Sequence, residues 1–168
     1  MGAVQKKLKK NVTGQGPALR QFLTDLLEQP PPALDTLTEL AAAKAWEGTN
    51  CLSCGNCCRS MSPSYTKEDI QRLALHFRVS TQKFKEKWLC EEAGGRWMNR
   101  SRPCQFFDCV TNKCSVYPIR PADCAGFPHL TKKSTVEYLN MHQQNLAFCP
   151  ATFKMVENLH QRLSAGEF

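Results

Sequence analysis

Apolar residues recur at helical spacing at both ends of the chain and in its middle, and lose that rhythm between. Leu19, Phe22, Leu23, Leu26 and Leu27 mark one face of a helix over residues 17–28, with Pro17 near its start. Pro30-Pro31-Pro32 stops that helix and forms a stiff connector. A second helix is predicted from about Asp35 to Trp46, with Leu37, Leu40, Ala41 and Trp46 on its apolar side. Thr36 and Glu39 stand at capping-box spacing, and Gly48 ends the helix. Thr66 and Asp69 open a third, whose face is Ile70, Leu73, Ala74 and Phe77. Ser80 caps a fourth, carrying Phe84, Trp88 and Leu89. These two read as a helical hairpin covering the first cysteine-rich stretch. The outward residues of the second, Gln82, Lys83, Lys85 and Lys87, make a generic wet surface rather than a base-reading face.

Gly94-Gly95 marks a turn. Arg96–Asn99 and Gln105–Phe107 are predicted as two short strands around the Arg102-Pro103 break. Residues 104–124, rich in cysteine, proline and aromatics, carry neither period. A helix is predicted from Ser134 to about Asn145. A last one follows Pro150, with Phe153, Val156, Leu159 and Leu163 on one side. The fold class is therefore mainly α, with irregular, metal-organised loops and at most a short β-hairpin. The expected organisation is an N-terminal helical extension over 1–49, a cysteine-cluster metal-binding domain over 50–150, and a C-terminal helix over 151–168 packed on it.

Composition changes this picture through its cysteines. Ten occur among 168 residues, at 51, 54, 57, 58, 90, 104, 109, 114, 124 and 149. No secretory leader pattern is visible, and no apolar run approaches the roughly 18 residues of a membrane span. A reducing cytoplasm is the expected setting, where clustered cysteines serve as metal ligands more often than as disulfides. The formal charge is +7. Each four-thiolate centre carries about −2, so two centres would leave about +3. The basic balance is thus a weak indicator of nucleic acid. Lys6, Lys7, Lys9 and Lys10 form a solvated, frayed terminus, with RNA or an acidic protein as the alternative partner.

Four cysteines fall within eight positions, Cys51-Leu-Ser-Cys54-Gly-Asn-Cys57-Cys58. Cys-x-x-Cys spacing lets a tight turn aim two sulfurs at one ion, and Gly55 permits the turn. Cys51, Cys54 and Cys57 repeat the first three spacings of the bacterial ferredoxin run, which a remote Cys-Pro such as Cys149-Pro150 completes. Cys58 departs from that run. Adjacent side chains are expected to diverge, so Cys58 serves a second ion or acts as a bridging or flanking thiol. Cys104, Cys114 and Cys124, at C-x9-C-x9-C, are the distal ligands. Cys90 and Cys109 are read as small buried hydrophobes. His129 is read as a surface or supporting residue, and Arg120 as a brace that offsets thiolate charge or pairs with Asp123.

These stretches resemble the CxxCxxCC, or YkgJ-type, family of zinc- or iron-chelating proteins. The matching residues are Cys51–Cys58, Thr66-Lys-Glu-Asp-Ile70, Pro103-Cys104-Gln-Phe106, and Cys114-Ser-Val-Tyr117-Pro-Ile-Arg120-Pro121-Ala-Asp-Cys124-Ala-Gly-Phe127-Pro128. The resemblance implicates Cys51, Cys54, Cys57, Cys58, Cys104, Cys114 and Cys124 as ligands, with a late Cys-Pro, here Cys149. Cys90 and Cys109 lie outside the pattern.

An iron–sulfur cluster and zinc both remain open as the bound centre, as does the number of centres, because soft thiolates suit both. Three function classes follow: metal handling or electron transfer, a metal-stabilised module for protein or RNA, and an enzyme. Some relatives carry a flagellin lysine methylase label, which suggests a methyl-transfer link. No glycine-rich nucleotide loop and no radical-enzyme cysteine triplet supports it.

Overall fold

A computed structural model describes residues 2–167. It is mainly helical, as the periodicity predicts. The helices are α1 (Ala3–Glu28), α2 (Leu34–Trp46), α3 (Cys51–Cys54), α4 (Asn56–Ser60), α5 (Lys67–His76), α6 (Thr81–Trp88), α7 (Ala122–Gly126), α8 (Thr135–Asn145) and α9 (Pro150–Ser164). The strands are β1 (Ser64–Tyr65), β2 (Leu89–Glu92), β3 (Arg96–Asn99), β4 (Phe107–Asp108) and β5 (Lys113–Cys114). Among the described residues no helix is long and apolar enough to cross a membrane.

The chain forms two compact units, Met1–Cys51 with Pro128–Phe168, and Leu52–Phe127. The C-terminal helix packs on α2 and α1, the helices of the N-terminal segment. The reason is complementary small and large residues. Ala41, Ala42 and Ala45 of α2 and Ala151 of α9 are fully buried and let backbones approach, while Phe153, Met155, Val156 and Leu159 of α9 fill the remaining space. α1 also starts earlier than predicted, at Ala3, with Pro17 inside it. Leu8 is buried in line with Leu19, Leu23 and Leu26, so one apolar stripe carries the helix past the proline.

Two polar links join helices in this unit. Arg20 Nη1 donates to the Gln143 carbonyl at 3.1 Å, and Gln143 Nε2 returns the bond to the Arg20 carbonyl. Asp35 accepts from the Thr135 amide at 2.7 Å and so caps α8 from α2. The Thr135 hydroxyl, and then that amide, hold the Asp35 carboxyl below its usual range. The capping-box spacing at Thr36 and Glu39 is unused, because α2 already begins at Leu34.

His142 is 1% exposed, and its Nδ1 has no hydrogen-bond partner. Burial, then the nearby His129, lower its pKa from 6.5 to about 4. The native state keeps His142 neutral at pH values where the unfolded chain binds a proton. Its stabilising contribution is full above pH 6.5 and is lost as pH falls from 6.5 through 4, by roughly 3 kcal/mol. Urea midpoints followed from pH 7 to pH 4 are expected to fall further for wild type than for His142→Leu, so that the gap between them changes across that window. A constant gap between them would refute the assignment.

The second unit has its own apolar core of Tyr65, Ile70, Leu73, Ala74, Phe84, Leu89, Phe106 and Val116. Phe77, Phe84, Trp88 and Phe106 stack within it, with ring centroids 4.8–6.2 Å apart. α5 and α6 pack as the expected hairpin, with caps as predicted. Thr66 and Asp69 form a complete capping box, and Ser80 accepts from the Lys83 amide. Its sheet is more than one hairpin, with strand order β1-β3-β2. Arg96–Asn99 pairs across the Gly94-Gly95 turn with Leu89–Glu92, not with Gln105–Phe107. Phe107–Asp108 instead pairs with Lys113–Cys114. The pairing follows chain economy, since each partner is the nearer strand across a short turn.

Candidate metal centre

The first cysteine stretch is two helical turns, α3 and α4. Gly55 sits between them at φ +59. A left-handed residue at that point ends one turn and starts the next, so Asn56 is free to be helical. Neighbours close over Gly55. A Cβ built there would lie 2.6 Å from Phe107 and 2.7 Å from Asn112 Oδ1. Asn112 Nδ2 donates to the Leu52 carbonyl at 2.9 Å, and its Oδ1 accepts from Arg59 at 2.9 Å. Arg59 also reaches the Cys109 carbonyl and lies 4.9 Å over the Phe107 ring. The Cys104 amide donates to the Cys58 carbonyl at 2.8 Å. The two turns are thereby tied to the β4–β5 ribbon and to the segment before it.

The distal cysteines are placed by separate devices. Cys104 and Cys114 pack against the aromatic core. Cys114 lies in β5, opposite Phe107. Cys124 lies in α7, and the buried Asp69 fixes the entry to that helix. Its Oδ1 accepts from the Ala122 amide at 3.0 Å and from Arg72, whose guanidinium holds the Ile119 and Arg120 carbonyls. Asp123 Oδ2 accepts from the Ser64 amide at 2.9 Å. The Thr66–Asp69 pair read from sequence as a helix cap is therefore also the clamp on the Cys124 segment.

The sulfurs influence one another. Burial, first of all, pushes the Cys124 thiol up, followed by the negative charge of Cys104, Cys57, Asp123 and Cys114. Burial likewise raises Cys104 and Cys114, with Cys57 acting on both. Cys57 is raised by its contact with the Cys58 thiol and then by burial. Thus Cys57, Cys104, Cys114 and Cys124, from three separate segments, share one electrostatic neighbourhood. Cys54 is raised by burial and feels Cys57. Three sulfurs also receive the backbone N–H two residues further on: Asn56 for Cys54, Phe106 for Cys104 and Val116 for Cys114. Such bonds favour the thiolate and aim its remaining lone pairs elsewhere. Arg120 favours the Cys114 thiolate, as read from sequence, and stacks 4.0 Å over Tyr117.

Cys57 Sγ and Cys58 Sγ are 4.0 Å apart. The expected divergence of these adjacent side chains is not what the backbone imposes, because both lie in the short turn of α4. A tetrahedral ion with sulfurs at about 2.3 Å separates them by about 3.8 Å, so this pair matches one edge of such a site. Among the described residues, no three Cys, His, Asp or Glu side chains are yet gathered tightly enough to hold an ion. The donor set still fits a thiophilic cation chemically. Several thiols sit where burial and mutual repulsion oppose their ionisation, and a divalent ion supplies the missing positive charge.

Cys51 and Cys149 belong to the other compact unit, as does His129; Cys51 is exposed and Cys149 buried. Cys90 lies in β2 with its sulfur 3.4 Å from the Asn99 carbonyl, and Cys109 is exposed. Sequence reasoning passed over Tyr65 and Asn99. Tyr65 OH donates to Asn99 Oδ1, beside the cysteines. Single polar residues in short strands carry no periodic or spacing signal that would single them out.

Fold and site together define a small helical protein of the thiolate metal-chelating kind. The chain belongs to the CxxCxxCC family, described as "Putative zinc- or iron-chelating domain", whose model matches residues 50–150. It is also similar to "Uncharacterized protein MJ0661" of Methanocaldococcus jannaschii, 27% identical over 89 residues. That stretch is 48% of this chain and 44% of the relative, so the chain spans less than half of that protein's length. No solved structure matches.

Proposed function

We propose that this protein binds zinc or an iron–sulfur cluster through cysteine thiolates, in metal handling or electron transfer in a reducing cytoplasm. Its centre is built on Cys57, Cys104, Cys114 and Cys124, with Cys58 and Cys54 alongside. The observation that carries this reading is the family's cysteine pattern over residues 50–150, beside a Cys57–Cys58 sulfur pair whose 4.0 Å separation matches one edge of a tetrahedral thiolate site. An active centre is favoured over a structural staple for two reasons. The surrounding unit already has an aromatic core, and the four cysteines are only half-buried, which leaves a route for ions or electrons.

Metal analysis with absorption spectra on anaerobically purified protein tests this. Brown protein with broad absorbance near 400 nm assigns iron–sulfur, and colourless protein with stoichiometric zinc assigns zinc. Protein that holds neither metal, and takes up neither on reconstitution, refutes the reading.

A second reading rests on α1. Lys6, Lys7, Lys9 and Lys10 are exposed on a helix whose first turn has no acid, where the helix dipole disfavours cations and an anionic partner would relieve them. RNA retention that falls steeply with salt is its signature.

A further inference from the structure

Asn99 closes β3 and is 94% buried by its 6% exposure. Its backbone is held on both sides. Its amide donates to Ser62 Oγ at 2.8 Å, and it pairs with Leu89 across the ladder. Its side chain is held by the oxygen alone. Oδ1 accepts from Tyr65 OH and, at 3.0 Å, from Gln105 Nε2. Gln105 is itself fixed by a bond from Nε2 to the Trp88 carbonyl at 3.1 Å.

Two donors converging on one atom settle which end of the carboxamide is oxygen. Tyr65 OH and Gln105 Nε2 both reach Oδ1, which is therefore the acceptor. Nδ2 must therefore point the other way. It is buried and completes no hydrogen bond of ordinary geometry. The group it faces is the Cys104 sulfur. A buried amide donor left open is costly, so a position that keeps one calls for an acceptor that strengthens on demand. A thiolate is such an acceptor, and a thiol is a poor one.

We propose that Asn99 is the positioning donor of the metal centre. Its carboxamide, locked by Tyr65 and Gln105, donates Nδ2–H to the Cys104 sulfur when that sulfur ligates the ion. The bond orients Cys104 and withdraws electron density from one metal–sulfur bond of the set. This rests on the thiolate-centre reading above and adds a residue that the cysteine pattern does not contain. Partners of this kind change metal affinity by about 10–100-fold when removed.

Cobalt(II) is the probe, because its sulfur-to-metal charge-transfer bands report each thiolate. Asn99→Leu is expected to weaken cobalt and zinc binding by about 10–100-fold and to move charge-transfer intensity to lower energy. Tyr65→Phe keeps the ring in the core and frees only the lock, so it is expected to shift the same band in the same direction by less. It also serves where Asn99→Leu does not fold. In a Cys104→Ser background, Asn99→Leu is expected to cause little further loss, since the two act through one bond.

An unchanged affinity and band in both single variants overturns the proposal. So does a full-sized Asn99 effect in the Cys104→Ser background, which would mark a general packing role. If wild type takes up no cobalt, zinc or iron, the metal reading fails and this one with it. If wild type binds cobalt and Asn99→Leu is indistinguishable from it, this proposal alone fails.

Discussion

Serine in place of Cys114 is expected to strip the protein of its metal. Three thiolates would remain of four, and the buried repulsion among Cys57, Cys104 and Cys124 would no longer be offset by an ion held on every side. Thiolate zinc sites in small domains contribute on the order of 10–16 kcal/mol of apparent binding free energy, and that energy is also folding energy. Retention should therefore fall by orders of magnitude. Serine at Cys90 or Cys109 should leave metal content unchanged, since the Cys90 sulfur lies against the Asn99 carbonyl and Cys109 is exposed. Metal per protein after anaerobic purification measures this, and a Cys114→Ser protein with full metal content would defeat the four-thiolate assignment.

Chelation should have a regional signature. The sequence alone suggests that 50–150 has little order besides its metal. The aromatic core of Tyr65, Leu73, Phe84, Leu89 and Phe106 changes that expectation. α5 and α6 should keep most of their amide protection when metal is removed, while 104–127 should lose it. Hydrogen exchange with and without chelator distinguishes local loosening from collapse of the whole unit.

Alanine at Gly55 is the second large effect. The left-handed backbone costs a residue with a Cβ about 1–2 kcal/mol. The added methyl also meets Phe107 and Asn112 Oδ1 inside contact distance, and overpacking of this kind costs about 1–3 kcal/mol. The sum is as much as about 5 kcal/mol. Asn112 is held by Arg59 and bonded to Leu52, so it has little room to retreat. Relief must come from moving α3 away from α4, which separates Cys54 from Cys57. Gly55→Ala is thus expected to lower both the urea midpoint and the metal content. Wild-type stability with full metal loading would show that the site tolerates a Cβ.

Much of this was readable from residue order. The Cys-x-x-Cys-x-x-Cys-Cys run is a chemical signal that no packing demand imitates, and it leads to thiolate metal chelation and to the family. The helices over 67–76, 81–88, 135–145 and 150–164 follow from apolar period, and the first two also from caps whose partners lie three residues away. Such interactions are local, so sequence spacing suffices to find them.

Tertiary structure decided what depends on distant partners. Spacing grouped Cys57 with Cys51 and Cys54. The fold brings Cys57 into the neighbourhood of Cys104, Cys114 and Cys124, because Asn112, Arg59 and the Cys58 carbonyl tie the first turns to a remote ribbon. It sent the C-terminal helix to α2, where alanines allow close approach. It gave Asp69 a second task at the start of α7, and it turned Asn99 toward a cysteine. A hydrogen bond between residues far apart in the chain leaves no period and no spacing, and only the folded coordinates reveal it.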